Sequence, residues 1–157
     1  MVIQRWQSVL LFIAAAVMAC FTFIPIANVT TPDYSFTFTA LGFYQQGIPT
    51  DGEAPIVVHT WYFFMLSITT IVLLLVDIFL FKNLRLQQRV CMVALLFIIA
   101  ECCVGGLLGF WAFREDAGHI WWKTTIICPI IAILSTIFAY YRMAQDYSLL
   151  RAADRLR

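Results

Sequence analysis

The stretch VCMVALLFIIAECCVGGLLGFWAF, residues 90–113, decides the fold of this chain. Glu101 is its only charged residue. About 20 consecutive apolar residues are enough to span the hydrocarbon core of a bilayer, and that core offers no hydrogen bonds to an exposed backbone. The stretch therefore predicts a membrane-spanning helix with one acidic group inside it.

Three further apolar runs accompany this one, so that helices are predicted at about residues 8–27, 56–81, 89–113 and 120–142. Between them lie an outer loop at 28–55 and, after the last helix, a tail at 143–157. Hydrophobic residues make up 62% of the chain and charged residues 12%, against about 45–50% and 25% in soluble domains. The prediction is an all-α membrane protein, with residues 1–157 forming one four-helix domain.

The first run also has features of a cleaved secretory signal. Arg5 precedes a short apolar stretch, and residues 17–20 (VMAC) resemble a lipoprotein cleavage box. The apolar pattern continues beyond Cys20 to Ile26, however, and cleavage there would leave a stub too short to span a bilayer. A retained helix is therefore the prediction.

The basic residues predict the orientation of the four helices. Only Arg114 and Lys123 fall in the segments that follow the third helix on the outer side. The other eight of the ten Lys and Arg fall on the opposite side: Arg5, Lys82, Arg85, Arg89, Arg142, Arg151, Arg155 and Arg157. By the positive-inside rule the side with eight is cytoplasmic, which places both termini there.

Tryptophan residues mark the predicted ends of the helices. Trp6 lies at the inner start of the first helix, and the other four are placed at outer helix ends: Trp61, Trp111, Trp121 and Trp122. An indole ring prefers the headgroup region, where its apolar body and its N–H group are both satisfied.

The outer loop contains a pattern typical of β-structure. Tyr34, Phe36 and Phe38 alternate with small polar residues, which is the period-2 signature of a strand. Residues 43–46 can return as a second strand, and residues 49–52 (PTDG) form a turn. The sequence predicts a small β-hairpin over the outer helix ends, acting either as a lid or as a recognition surface.

Glu101 is the main candidate for an intramembrane functional residue. It lies about 12 residues, or roughly 18 Å, into its helix, and a charge at that depth costs at least about 2.5–3.5 kcal/mol. Gly105 and Gly109 follow at intervals of four residues, which predicts a helix-packing face that turns the carboxyl toward the bundle or an oligomer seam. Hydroxyl groups on neighbouring helices are candidate partners: Ser67, Thr69, Thr70, Ser135 and Thr136. Glu101 is either a neutral group that holds helices together or part of a proton or ion path.

Asp77 is the second intramembrane acid. It lies about one turn from the inner end of the second helix. At that depth it can reach the interface or pair with Lys82 or Arg85, which favours a structural role.

The remaining chemistry-bearing residues do not assemble into a known catalytic or metal-binding motif. His59 and His119 lie in separate segments, and the five cysteines lie inside apolar runs without a C-x-x-C spacing. No cofactor, metal or catalytic residue is predicted. A net charge of +1 argues against a nucleic-acid partner.

The tail has the pattern of a short cytoplasmic amphipathic helix. Leu149, Leu150, Ala153 and Leu156 recur at helical spacing among basic residues. Such a helix is suited to an anionic inner leaflet or to docking of a cytoplasmic partner.

Three short motifs together resemble a known family: the opening MVIQRWQS at 1–8, the turn FLFKNLRLQ at 79–87 and the closing DRLR at 154–157. The chain is similar over its whole length to four-helix membrane proteins of Bacteroidota that are grouped as domain of unknown function number 4293. The resemblance implies an inner-membrane protein and brings no activity, substrate or catalytic residue with it.

Two functions remain open at this stage. The first is a non-enzymatic scaffold or accessory subunit, which contacts lipid and either a protein partner or further copies of itself. The alternative is a small transporter or a proton- or ion-conducting element that uses Glu101. Replacement of Glu101 by Gln separates them, because a scaffold tolerates that change when assembly survives.

Overall fold

The computed structural model describes residues 3–30, 35–46, 57–116 and 119–155. Its helices are α1 (Ile3–Phe23), α2 (Trp61–Phe79), α3 (Leu84–Asp116) and α4 (Cys128–Arg155). All four are long and apolar enough to cross a membrane. The four apolar helices that the sequence predicts are therefore present.

Proline explains two helix boundaries at the same end of the bundle. Helix α1 ends at Phe23, earlier than the predicted residue 27, because the residue before Pro25 is driven out of the helical region. Helix α4 begins at Cys128, with Pro129 in its first turn, where a missing N–H group costs nothing. A short 3-10 helix, Thr124–Ile127, leads into it.

At the other end, α3 and α4 are longer than the sequence indicated. Only a one-turn 3-10 helix, Leu80–Lys82, and Asn83 separate α2 from α3. Helix α4 continues to Arg155 without interruption, so the prediction of a separate tail helix is wrong. Residues 142–155 contain neither Gly nor Pro and are rich in good helix formers, so nothing stops the helix there.

The helices form a ring in which each contacts two neighbours. Helix α1 packs against α2 and α4, and α3 packs against the same two helices. The end where α1 and α3 finish is called the sheet end below. The opposite end, where α2 and α4 finish, is called the tail end.

A five-stranded antiparallel sheet lies at the sheet end, where the sequence predicted only a hairpin. Its strands are β1 (Ala27–Thr30), β2 (Ser35–Thr39), β3 (Gly42–Gln46), β4 (Val57–His59) and β5 (His119–Trp122). They are arranged in the order β4-β3-β2-β1-β5. Both interhelical segments at this end therefore contribute to one sheet.

The predicted hairpin corresponds to β2 and β3, which pair from Ser35 with Gln46 to Thr39 with Gly42. Gly42 has a φ of 154°, and a Cβ at this position would collide with the Val58 carbonyl oxygen of β4. Glycine thus allows the close approach of the fourth strand. The predicted turn at 49–52 lies outside the described residues.

Strand β5 replaces the helix start that was predicted at residue 120. It pairs with β1, with Ala27 opposite Trp122 and Thr30 opposite His119. Next to it the Lys123 N–H donates to the Ile26 carbonyl at 3.0 Å. This segment is a strand because α1 has already ended, so the outer edge of β1 presents backbone N–H and C=O groups that β5 satisfies by pairing.

Aromatic side chains join the sheet to the bundle. The ring of Phe63, in the first turn of α2, lies 6.2 Å from the ring of Phe38 on β2 and 6.2 Å from that of Phe21 on α1. Phe38 also stacks on Phe43 at 4.5 Å. The Thr60 hydroxyl, just before α2, donates to the Ala40 carbonyl at 3.1 Å. The sheet is thus packed on the helices and held to them by hydrogen bonds.

Candidate functional site

The polar residues inside the bundle follow the seven-residue repeat of two packed helices. On α2 the buried positions are Phe63, Ser67, Thr70, Leu74 and Asp77. On α3 the matching buried positions are Gln87, Cys91, Ala94, Ile98 and Glu101. Spacings of three and four keep such residues on one face, so the acids point into the bundle and away from lipid.

Glu101 is fully buried and is bonded across the α2–α3 interface. The Ser67 hydroxyl donates to its Oε1 atom, while Oε2 has no hydrogen-bond partner among the described residues. Thr70 lies against the same carboxyl group, and its hydroxyl donates to the Leu66 carbonyl at 3.0 Å. Ser67, Thr70 and Glu101 are called the Glu101 cluster.

Of the hydroxyl partners considered for Glu101, the structure uses Ser67. Thr69 is exposed and donates to the Met65 carbonyl at 2.8 Å. Thr136 donates to the Ala132 carbonyl at 2.7 Å. Each of these two hydroxyl groups donates to the backbone carbonyl four residues earlier in its own helix, as Ser and Thr often do in membrane helices.

Asp77 is also fully buried, with neither carboxyl oxygen hydrogen-bonded within the described part of the chain. Cys91 lies beside the carboxyl group, but its thiol is directed to the Thr136 carbonyl at 3.7 Å. Arg85, one of the two basic partners considered for Asp77, does not bond to it: both Asp77 oxygens lack a partner in the described structure, and Arg85 Nε donates to the Tyr147 hydroxyl at 2.7 Å. The Lys82 side chain lies outside the described residues.

A layer of apolar side chains separates the two acids. Leu74, Ala94 and Ile98 are all 0% exposed and lie between Asp77 and Glu101 along their helices. Thr70 and Asp77 are seven residues apart, which corresponds to roughly 10 Å along α2. The two carboxyl groups therefore form separate sites and not a pair.

The glycines of the predicted packing face contact aromatic rings of the same chain. A Cβ at Gly105 would lie 3.3 Å from the Phe63 ring, and one at Gly109 would lie 2.7 Å from the Trp122 ring. Gly106, between them in sequence, has no atom within 4 Å of such a Cβ. The two glycines of this face thus allow two aromatic rings to approach α3 closely, while Gly106 lies beside open space.

Two interhelical contacts near the tail end were not foreseen from the sequence. The Gln7 amide on α1 donates to the Asp146 carboxylate on α4. The Gln87 amide on α3 donates to the Asp77 backbone carbonyl at 3.2 Å. An amide side chain within an apolar helical pattern is the signal that would have indicated them, because buried polar groups need partners.

The two histidines lie at opposite edges of the sheet. His59 is on β4 and His119 on β5, so three strands separate them. Four strand spacings correspond to roughly 19 Å. Within the described ranges no group of three or more His, Cys, Asp or Glu residues is placed to hold a metal ion.

Comparison with known families gives a match over nearly the whole chain. The model of a domain of unknown function (DUF4293) matches residues 3–156. The chain belongs to the DUF4293 family. This match confirms the resemblance drawn from the three sequence motifs. A comparison of this DUF4293 protein with curated proteins found no match.

Proposed function

We propose that this protein is a non-enzymatic scaffold or accessory subunit of the bacterial inner membrane, acting with a protein partner or as a homo-oligomer. The bond from Ser67 to Glu101 carries the proposal. Through this bond the central acid, Glu101, joins α2 to α3. The buried apolar layer at Leu74 and Ile98 separates the polar groups around Glu101 from those around Asp77. A helical bundle with a packed sheet at one end is suited to presenting surfaces to other proteins.

Both termini are proposed to be cytoplasmic. The tail end brings together the start of α1, the turn between α2 and α3 and the end of α4. Within the described residues these segments carry seven of the ten basic residues of the chain. The positive-inside rule then supports a cytoplasmic tail end and an extracytoplasmic sheet.

Reporter fusions test this orientation. Green fluorescent protein fused after residue 157 is expected to fluoresce, because it folds in the cytoplasm. Alkaline phosphatase is expected to be active when fused after Thr60, at the sheet end, and inactive when fused after residue 157. The reverse pattern would show that the sheet faces the cytoplasm.

The proposed role is tested by purifying the full-length tagged protein from its native membrane in a mild detergent. We expect one membrane protein to co-purify in stoichiometric amounts and to be absent when another four-helix protein is purified in the same way. Glu101→Gln is expected to retain this partner, because the amide oxygen still accepts a hydrogen bond from Ser67. Glu101→Leu serves as the matched variant that lacks the bond.

A different outcome would favour the alternative, a proton- or ion-conducting element or small transporter. One observation supports that function: Glu101 Oε2 and both Asp77 oxygens are buried without partners in the described structure. Buried acids in membrane helices commonly carry protons or ions. A homo-oligomer without partner, whose flux in proteoliposomes is abolished by Glu101→Gln, would overturn the scaffold proposal.

A further inference from the structure

Two cysteines that are far apart in the sequence lie next to each other at the sheet end of the bundle. Cys20 belongs to the last turn of α1, where its carbonyl accepts a hydrogen bond from the Ile24 N–H at 3.0 Å. Cys128 is the first residue of α4. The Cys20 thiol is close enough to the Cys128 thiol for the two groups to interact electrostatically. Most of the chain separates them, so no sequence spacing indicated this pair.

A side-chain hydrogen bond ties the end of α1 to the start of α4. The Thr125 hydroxyl donates to the Pro25 carbonyl at 3.1 Å. Cys20 lies five residues before Pro25, and Cys128 lies three residues after Thr125. Because the two helices run in opposite directions, these offsets place both cysteines at nearly the same depth in the bundle, within about one helical turn of each other.

The register of α4 turns Cys128 toward α1. Asp146 of α4 accepts a hydrogen bond from Gln7 of α1. Cys128 precedes Asp146 by 18 residues, which is five complete turns of an α-helix. Residues five turns apart share one face, so Cys128 also lies on the side of α4 that contacts α1. Cys128 is partly buried there, while Cys20 is exposed and accessible to a reagent.

The other three cysteines lie on α3 and do not form a comparable pair. Cys91 is buried, and its thiol is directed to the Thr136 carbonyl at 3.7 Å. Cys102 and Cys103 are consecutive residues of one helix, so their side chains diverge by about 100° and cannot be bridged without breaking that helix. All five cysteines belong to the described residues, and Cys20 with Cys128 is the pair that two packed helices bring together.

We propose that Cys20 and Cys128 form a disulfide bond that joins α1 to α4 at the sheet end. The inference rests on the orientation proposed above, which places both thiols next to the oxidising extracytoplasmic space. It does not depend on whether the protein is a scaffold. A disulfide that closes so long a loop restricts the unfolded chain and stabilises the bundle at the end that supports the sheet.

The bond forms by thiol–disulfide exchange with a protein disulfide of that space. The exposed Cys20, as the thiolate, attacks one sulfur of the donor, and the other donor sulfur leaves as a thiolate. The Cys128 thiolate then attacks the Cys20 sulfur of this mixed disulfide and releases the second donor sulfur. The two cysteines together lose two electrons and two protons, and the donor disulfide is reduced to a dithiol.

The test counts free thiols in the full-length protein taken from its native membrane. Acid quenching stops exchange, and the denatured protein is treated with a polyethylene glycol maleimide, which shifts its position on a gel once for each free thiol. The chain has five cysteines, so five tags are expected after reduction and three without it. Mass spectrometry of the unreduced monomer is expected to find the Cys20 peptide linked to the Cys128 peptide.

Three alanine variants locate the bond. Cys20→Ala and Cys128→Ala are each expected to carry four tags with or without reductant, because the remaining partner is free. Cys103→Ala is the matched control, since Cys103 is also exposed but lies on α3. It is expected to carry two tags without reductant and four after reduction.

Five tags on the unreduced wild-type protein would overturn the proposal, and so would a reductant-sensitive bond that persists in Cys20→Ala. The phosphatase fusion after Thr60 separates the two possible reasons. Five tags with an active fusion would show that the sheet end faces outward and that only the disulfide is wrong. Five tags with an inactive fusion would reject the orientation and the disulfide together.

Discussion

Gly109→Val is expected to lower the free energy of unfolding by about 1–3 kcal/mol, the usual cost of overpacking. Even the first added carbon would lie 2.7 Å from the Trp122 ring, and valine brings two further methyl groups. Trp122 is the last residue of β5 and pairs with Ala27 of β1. Trp122 is 46% exposed, so its ring is expected to swing away from α3 and to lose this packing contact.

Gly106→Val is the matched control, because it makes the same chemical change three residues earlier on the same helix. The valine backbone preference is equal at both positions, so it cancels in the comparison. A Cβ at Gly106 meets nothing within 4 Å, and a change within about 0.5 kcal/mol is expected.

The measurement is unfolding in mixed detergent micelles, followed by tryptophan fluorescence. Gly109→Val is also expected to shift the tryptophan fluorescence emission of the folded protein, because the Trp122 ring no longer packs against α3. Equal stability of the two valine variants would mean that Trp122 does not pack on Gly109.

The four helices were predictable because lipid imposes a strong and local rule. A long apolar run must satisfy its own backbone, so residues such as 90–113 can only be helical. The ends of the helices were less predictable. They depend on helix-terminating residues such as Pro25 and on contacts with neighbouring segments. Helix α4 shows the limit clearly: polar residues after Tyr141 suggested a break, yet the backbone has no reason to stop before Arg155.

The sheet shows what pattern alone misses. The β2–β3 hairpin has the alternation and the glycine that mark it locally. Strand β5 has neither, since Ile120, Trp121 and Trp122 read equally well as the start of an apolar helix. Only pairing with β1, far away in sequence, makes this segment a strand. Long-range pairing of that kind is absent from any single window of sequence.

The candidate site was predictable in identity but not in geometry. An acid deep in an apolar helix stands out at once, so Glu101 and Asp77 could be named from the sequence. Which hydroxyl bonds to Glu101 depends on the rotation of α2 against α3, and that rotation chooses Ser67 and leaves Thr69 outside. A cavity beside Glu101 is lined by residues from six helices and strands, and no local sequence motif predicts it.

Phe63→Ala is expected to be the most destabilising single truncation considered, with a loss of about 3–5 kcal/mol in the free energy of unfolding. Phe63 is 0% exposed, and its ring reaches α1 through Phe21 and the sheet through Phe38. It also lies against Gly105 of α3. Truncation therefore leaves a void among four elements whose backbones are fixed by their own hydrogen bonds.

The control for this truncation is Phe79→Ala, at the other end of the same helix. Phe79 is 76% exposed, so its removal opens no internal void, and a loss within about 0.5 kcal/mol is expected. Comparable losses for the two alanine variants would mean that the ring cluster does not fasten the sheet to the bundle. A selective loss at Phe63 would show that the sheet end is held by close packing around one ring, the same region in which Glu101 and the cavity lie.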